Sequence, residues 1–309
     1  MAARSSNGRR VSARPSPSNV RVPLKRLGFH ALALTAIVAL PLLLPASCSA
    51  PPLEAPAPAA TGVGEVSPAG AEPVSALAPA NLAKARPAAP FSVTGNWFID
   101  VSQNPDAWRF GPPYPALKPG AQKHADASKK ATAEGKVYRD DIGQCWPAGL
   151  PLIMTRYWPM AMIQLPTAIY MVSGFMNSLR IVYLDGRSHT PEDIVVRTFN
   201  GESIGRWEGD TLVVDTRHFR ADHHWMDQGG VSIPAGEQLR IVERIKSVSD
   251  GKQLEIEYTM TDPVNWIGEW RSTKRWLRVD YTDIGEVHCL PDLNDNLPST
   301  QAGREGLVQ

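Results

Sequence analysis

Three of the seven histidines fall in one short stretch, His218-Phe219-Arg220-Ala221-Asp222-His223-His224-Trp225. An imidazole titrates near neutral pH, and a carboxylate beside it fixes its tautomer and raises its basicity. Asp222, His223 and His224 are therefore the candidate acid–base groups. The same stretch offers zinc ligands that His189 or Asp227 would complete, although no metalloprotease-type ligand spacing is present. An ordinary solvated loop is the third reading. No serine or cysteine stands in a nucleophile context. Gly201-x-Ser203-x-Gly205 spells the nucleophile-elbow pattern, but an elbow needs strand, turn and helix, and here a strand continues.

A second set of polar residues flanks turns. Arg206, Trp207 and Glu208 lead into Gly209-Asp210, and Arg187 follows Asp185-Gly186. At a barrel mouth an arginine and a carboxylate would grip an anionic ligand group through forked hydrogen bonds. As exposed hairpin charges they would contribute little. Met160, Met162, Tyr170, Met171, Phe175 and Met176 are adaptable side chains that either line a cavity for a small apolar or aromatic molecule or fill an ordinary core.

The elements that must position these residues are strands. Ser203–Thr216 reads as one tight hairpin in which Glu208-Gly209-Asp210 makes a type I turn with a bulge at Gly209. Strands are expected again at Met162–Gln164, Ala168–Val172, Leu179–Leu184, Leu239–Val248, Gln253–Thr261 and Trp270–Asp280, joined by turns such as Asp185-Gly186 and Asp250-Gly251. This is a mainly β chain, an antiparallel meander that closes into a barrel. Pro119–Gly135 is one outer helix, started by proline and stopped by glycine, lying on the sheet away from any site. Asp106–Pro119 is an ordered but irregular loop.

The N-terminal third differs in kind and is expected to be disordered. Seven basic residues without an acid precede the apolar run Leu27–Pro45, the pattern of a secretory signal, with an uncleaved signal-anchor as the alternative. Pro45-Ala46-Ser47-Cys48 resembles a lipobox, which implies lipidation of Cys48. The Ala/Pro-rich stretch that follows cannot bury enough surface to fold. The domain reading is a signal peptide over 1–48, a linker over 49–90, a barrel over 91–298 and a tail over 299–309. Export to the periplasm or to the bacterial envelope by a membrane anchor follows. With 32 basic and 31 acidic residues, no charge excess favours nucleic acid, and no cofactor is expected. Cys145 and Cys289 remain as an even pair, which in an exported chain favours a disulfide over two buried thiols.

Two resemblances add to this. Gly95-Asn96-Trp97 resembles the first-strand signature of lipocalin-like barrels, in which the Trp lies under a late Arg (Arg271, Arg275 or Arg278). Leu184-Asp185-Gly186-Arg187, the run from Gly201 to Thr216 and Val242-Glu243-Arg244 together resemble a large family of exported bacterial proteins without a settled activity. That resemblance implies a lipocalin-like barrel over Gly95–Cys289, and the chain departs from the family pattern near Gly174 and at Ser232-Ile233-Pro234. The functional expectation is a barrel that binds a small, largely apolar ligand. The alternatives are a hydrolase, lyase or isomerase using the Asp222/His223/His224 loop, and an envelope scaffold.

Overall fold

A computed structural model describes residues 74–290, apart from 103–106, 137, 139–140 and 228–229. Cys48, the signal segment, linker residues 49–73 and the 299–309 tail lie outside the described residues. In chain order the elements are α1 (Pro79–Leu82), β1 (Gly95–Ile99), β2 (Ala116–Leu117), α2 (Pro119–Ala133), a 3-10 turn (Leu152–Thr155), β3 (Met160–Gln164), β4 (Ala168–Ser173) and β5 (Ser178–Tyr183). They continue with β6 (Glu202–Glu208), β7 (Thr211–Arg217), β8 (Trp225–Asp227), β9 (Ser232–Pro234), β10 (Arg240–Val248), β11 (Gln253–Thr261), β12 (Trp266–Ile267) and β13 (Trp270–Val279).

Nine of these strands close into a barrel in the order β1-β13-β11-β10-β7-β6-β5-β4-β3, with β3 pairing back onto β1. Every barrel ladder is antiparallel except β5–β6, which is parallel over only Val182↔Ser203 and Tyr183↔Ile204. The meander breaks there because residues 184–201 are a long crossover rather than a turn, and parallel neighbours require one. The β6–β7 hairpin pairs Glu208 with Thr211. Its loop is thus the two residues Gly209 and Asp210, with positive φ at Gly209 (59°) and not at Asp210. That is the type II′ arrangement, not the bulged type I turn expected, and its twist matches the flanking strands better.

Alternation along the strands sends one face inward. Trp97, Met160, Met162, Met171, Val214, Ile256, Met260 and Trp276 are each 0–3% exposed. At one end the Arg278 guanidinium lies 4.4 Å from the centre of the Trp97 ring. It donates to the Thr94 carbonyl at 2.6 Å and to the Gly251 carbonyl at 3.1 Å. Gly95 is required here: its φ is +144°, and a Cβ would stand 2.3 Å from Arg278 Nη1. At the other end Phe110, from the irregular loop, packs edge-on against Tyr258 (5.0 Å) and Trp270 (6.3 Å).

The interior is therefore a packed core, and Met160, Met162 and Met171, expected as candidate cavity lining, fill it, whereas Met176 is only half-buried. A guest inside would have to re-expose several of these side chains at about 1.5–3 kcal/mol each. A ligand is better sought outside the wall. The stretch from Val74, read from its composition as linker through Pro90, also lies against the barrel. Asn81 is 4% exposed. It donates to Asp185 at 3.0 Å and accepts from Arg86 at 2.6 Å, while Thr167 donates to the Ala76 carbonyl. A few well-placed polar bonds dock this segment, which an average over Ala and Pro does not register.

Candidate functional site

Helix α2 places its small face, Ala121, Ala125, Ser128 and Ala131, against β9 rather than on the barrel sheet, because Ser128 Oγ accepts the Ser232 amide at 2.8 Å. Between α2, the loop over residues 141–148 and β8–β9 lies a cleft of about 370 Å³ outside the barrel wall. Ile142, Pro147, Leu152 and Trp225 give it apolar sides, and Asp141, His223, Tyr138 and Ser232 converge on it. Both the size and the mixture suit a small-molecule site.

Its polar centre is His223. The Nδ1–H donates to Asp141 Oδ1 at 2.7 Å, and the two side chains are 12% and 3% exposed. The imidazole stacks on Trp146 at 3.9 Å with planes 5° apart. His223 adopts a left-handed backbone (φ 58°), a conformation that costs a non-glycine residue free energy and is retained where the surroundings enforce it. Carboxylate, indole and backbone together fix one ring orientation. His124, on α2, lies flat on the lining residue Trp225 at 4.1 Å, with its Nε2 3.2 Å from Ser232 Oγ and its Nδ1 3.3 Å from the Tyr138 hydroxyl. The Cys145–Cys289 disulfide forms, spanning 144 residues, and anchors the loop that carries Trp146.

The expected acid–base trio is thus divided. Asp222 is exposed and pairs with Arg220. Residue Asp141, 82 positions away, is the carboxylate that holds His223. His224 is fully buried in the core and its Nδ1–H donates to the Arg220 carbonyl at 2.9 Å. Arg206 and Glu208 form an exposed pair at 2.6 Å, joined by Arg244 at 2.9 Å. Arg206 and Trp207 line a groove with the docked N-terminal segment, and Trp207 meets Phe91 edge-on at 4.9 Å. Arg187 is tied to Asp185 and the Val74 carbonyl and lies over Tyr183. Sequence reasoning set α2 aside and missed Asp141, Tyr138 and Ser232, whose one local signal was an aspartate close to a cysteine expected to be bridged.

Burial pushes His224 down to about 4, with the Arg220 carbonyl opposing it. The unfolded chain binds this proton below pH ~6.5 and the folded chain does not until about pH 4. The stability that neutral His224 contributes is full above ~6.5 and is lost as the pH falls through that window. At pH 5 the loss is about 2 kcal/mol relative to pH 7. His224→Gln should therefore lose stability between pH 7 and 5 less steeply than the wild type, by about that amount. Urea titrations of both proteins at the two pH values measure this, and parallel pH dependences would refute it.

A second polar cluster sits on the outer face of β6–β7, under the 187–198 crossover. His189 Nδ1 donates to Glu202 at 2.9 Å. His218 Nε2 lies 3.7 Å from the same Glu202 oxygen, and His189 Nε2 lies 3.7 Å from Asp215. Burial opposes protonation of His189, but Asp215 and Glu202 outweigh it and raise the group to about 8. Burial likewise opposes the Glu202 carboxylate, yet bonds from His189 and Thr190 bring it down to about 2.

No family model matches the chain, and no curated protein matches it. Among solved structures, a mutant of the fluorescent protein UnaG is similar at 12% identity and a TM-score of 0.27, covering 61% of this chain and 96% of that one. The barrel itself is established by the strand pairing above.

Proposed function

We propose that this protein binds a small, largely apolar or aromatic molecule in the α2/β8–β9 cleft, with His223 making the polar contact that orients it. The observation that carries this reading is a carboxylate-fixed imidazole presented to a cleft with apolar walls. A panel of phenols and aromatic carboxylates, read by thermal shift and by quenching of Trp146 and Trp225, tests it. A ligand at a hundred times its Kd stabilises by about 2.7 kcal/mol. His223→Ala and Trp225→Ala should each abolish that gain. A panel without a responding compound, or a response that both variants retain, would sink the reading.

Acid–base catalysis at the same cleft is the second reading, favoured by the Asp141–His223 bond, since an imidazole oriented in this way serves as a general base. Asp141→Asn would then depress turnover far more than binding. We further infer that the chain acts in the bacterial envelope. The basic and apolar leader, the cysteine at 48 and the disulfide support that reading, and loss of palmitate labelling in Cys48→Ala against a labelled wild type would support the lipid anchor.

A further inference from the structure

We propose that His189, His218 and Glu202 form a binding site for a divalent transition-metal ion, best suited to zinc. One donor atom from each lies within 4.8 Å of the others. Tetrahedral ligands about 2.0–2.2 Å from zinc are about 3.3–3.6 Å apart. The distances from Glu202 Oε2 to His189 Nδ1, 2.9 Å, and to His218 Nε2, 3.7 Å, bracket that spacing.

The independent sign is His218. It is 5% exposed, and neither of its ring nitrogens makes a hydrogen bond. Its backbone is held in the left-handed region at φ 62°. A buried ring whose nitrogens face carboxylates without hydrogen-bonding to them is costly, and a metal on Nε2 would satisfy that nitrogen. The other nitrogens are placed as metal-bound histidines need. His218 Nδ1 faces Glu192 at 3.3 Å, and His189 Nε2 faces Asp215 at 3.7 Å. Carboxylates behind ligating imidazoles fix the tautomer and raise donor strength. Asp215 is in turn held by Arg217 and Arg240, which leaves it a supporting group rather than a fourth ligand. Two imidazoles and one carboxylate leave a coordination position open for water. The His189 and Glu202 side chains, 17% and 18% exposed, give the ion a way in.

Chelator-stripped protein titrated with zinc chloride by calorimetry tests the proposal, with cobalt(II) absorption reporting the coordination number. The expected result is one tight ion per chain with a four-coordinate cobalt spectrum. Glu202→Gln and His189→Asn, both at partly exposed positions, should each weaken binding at least about a hundredfold, while His288→Ala leaves it unchanged. His218→Ala should weaken zinc binding as strongly as those two ligand variants, and Glu202→Gln and His189→Asn decide the matter where His218→Ala does not fold. Absence of tight zinc binding by the folded wild type, or affinity preserved in Glu202→Gln and His189→Asn, overturns the site.

Discussion

Glu243→Leu is expected to destabilise the barrel by about 3–5 kcal/mol. Glu243 and Arg180 are 0% and 1% exposed, facing each other inside the barrel. Arg180 donates to both carboxylate oxygens, through Nε to Ser203 Oγ at 3.1 Å and through Nη2 to Thr216 Oγ1 at 3.1 Å. Those partners lie on β10, β6 and β7, so one guanidinium on β5 bridges from within the junction where the parallel ladder has only two paired positions. Removing the carboxylate leaves a buried cation with two hydroxyl partners and no counterion. The buried Tyr258 hydroxyl makes no hydrogen bond, and burial, with Glu243 beside it, pushes that group well above its ordinary value.

The double variant Arg180→Met/Glu243→Leu separates two meanings of the pair. Replacing a buried ion pair with apolar side chains of similar size is often neutral, so the double variant should recover most of what Glu243→Leu loses. Guanidinium chloride unfolding of the four members of the cycle measures both. A single variant within about 1 kcal/mol of the wild type would show that water reaches Arg180. A double variant as unstable as the single would show that the pair specifies the seam rather than merely satisfying itself.

Loss of the disulfide ranks second. Cys145→Ala/Cys289→Ala opens a loop of 144 residues, and the chain-entropy argument for a loop of that order gives about 5 kcal/mol, with measured losses of about 2–5 kcal/mol. The expected result is a fall of that size in unfolding free energy, reproduced by adding a reductant to the wild type. The consequence for the cleft is separate. Cys145 precedes Trp146, on which His223 stacks, so ligand affinity should fall even at temperatures where the variant remains folded. A variant that keeps its stability in guanidinium chloride would mean that the unfolded chain is already compact enough for the tie not to matter.

The local grammar of the chain was legible without coordinates. Period-2 alternation and Asp-Gly or Gly-Asp turns place the barrel strands, since side-chain direction and turn conformation are decided within a few residues. Pro119 and Gly135 bracket α2 for the same reason. For the Trp97 partner, the resemblance of Gly95-Asn96-Trp97 to a lipocalin-like first strand implied a late arginine among Arg271, Arg275 and Arg278, and only the closed barrel selects Arg278. What the sequence could not determine was which polar side chain meets which. His223 has Asp222 as its neighbour in the chain, yet its partner is Asp141, brought in by the disulfide-tied loop. His218 belongs with His189 and Glu202 rather than with the histidines beside it, because a strand ends at Arg217 and the 187–198 crossover folds back over it. Nothing local marks Arg180 or Glu243 for burial, and it is closure of the barrel that turns both inward. Backbone conformation is set by near neighbours. The pairing of charges depends on the path of whole loops and on burial, and those exist only once the chain has closed on itself.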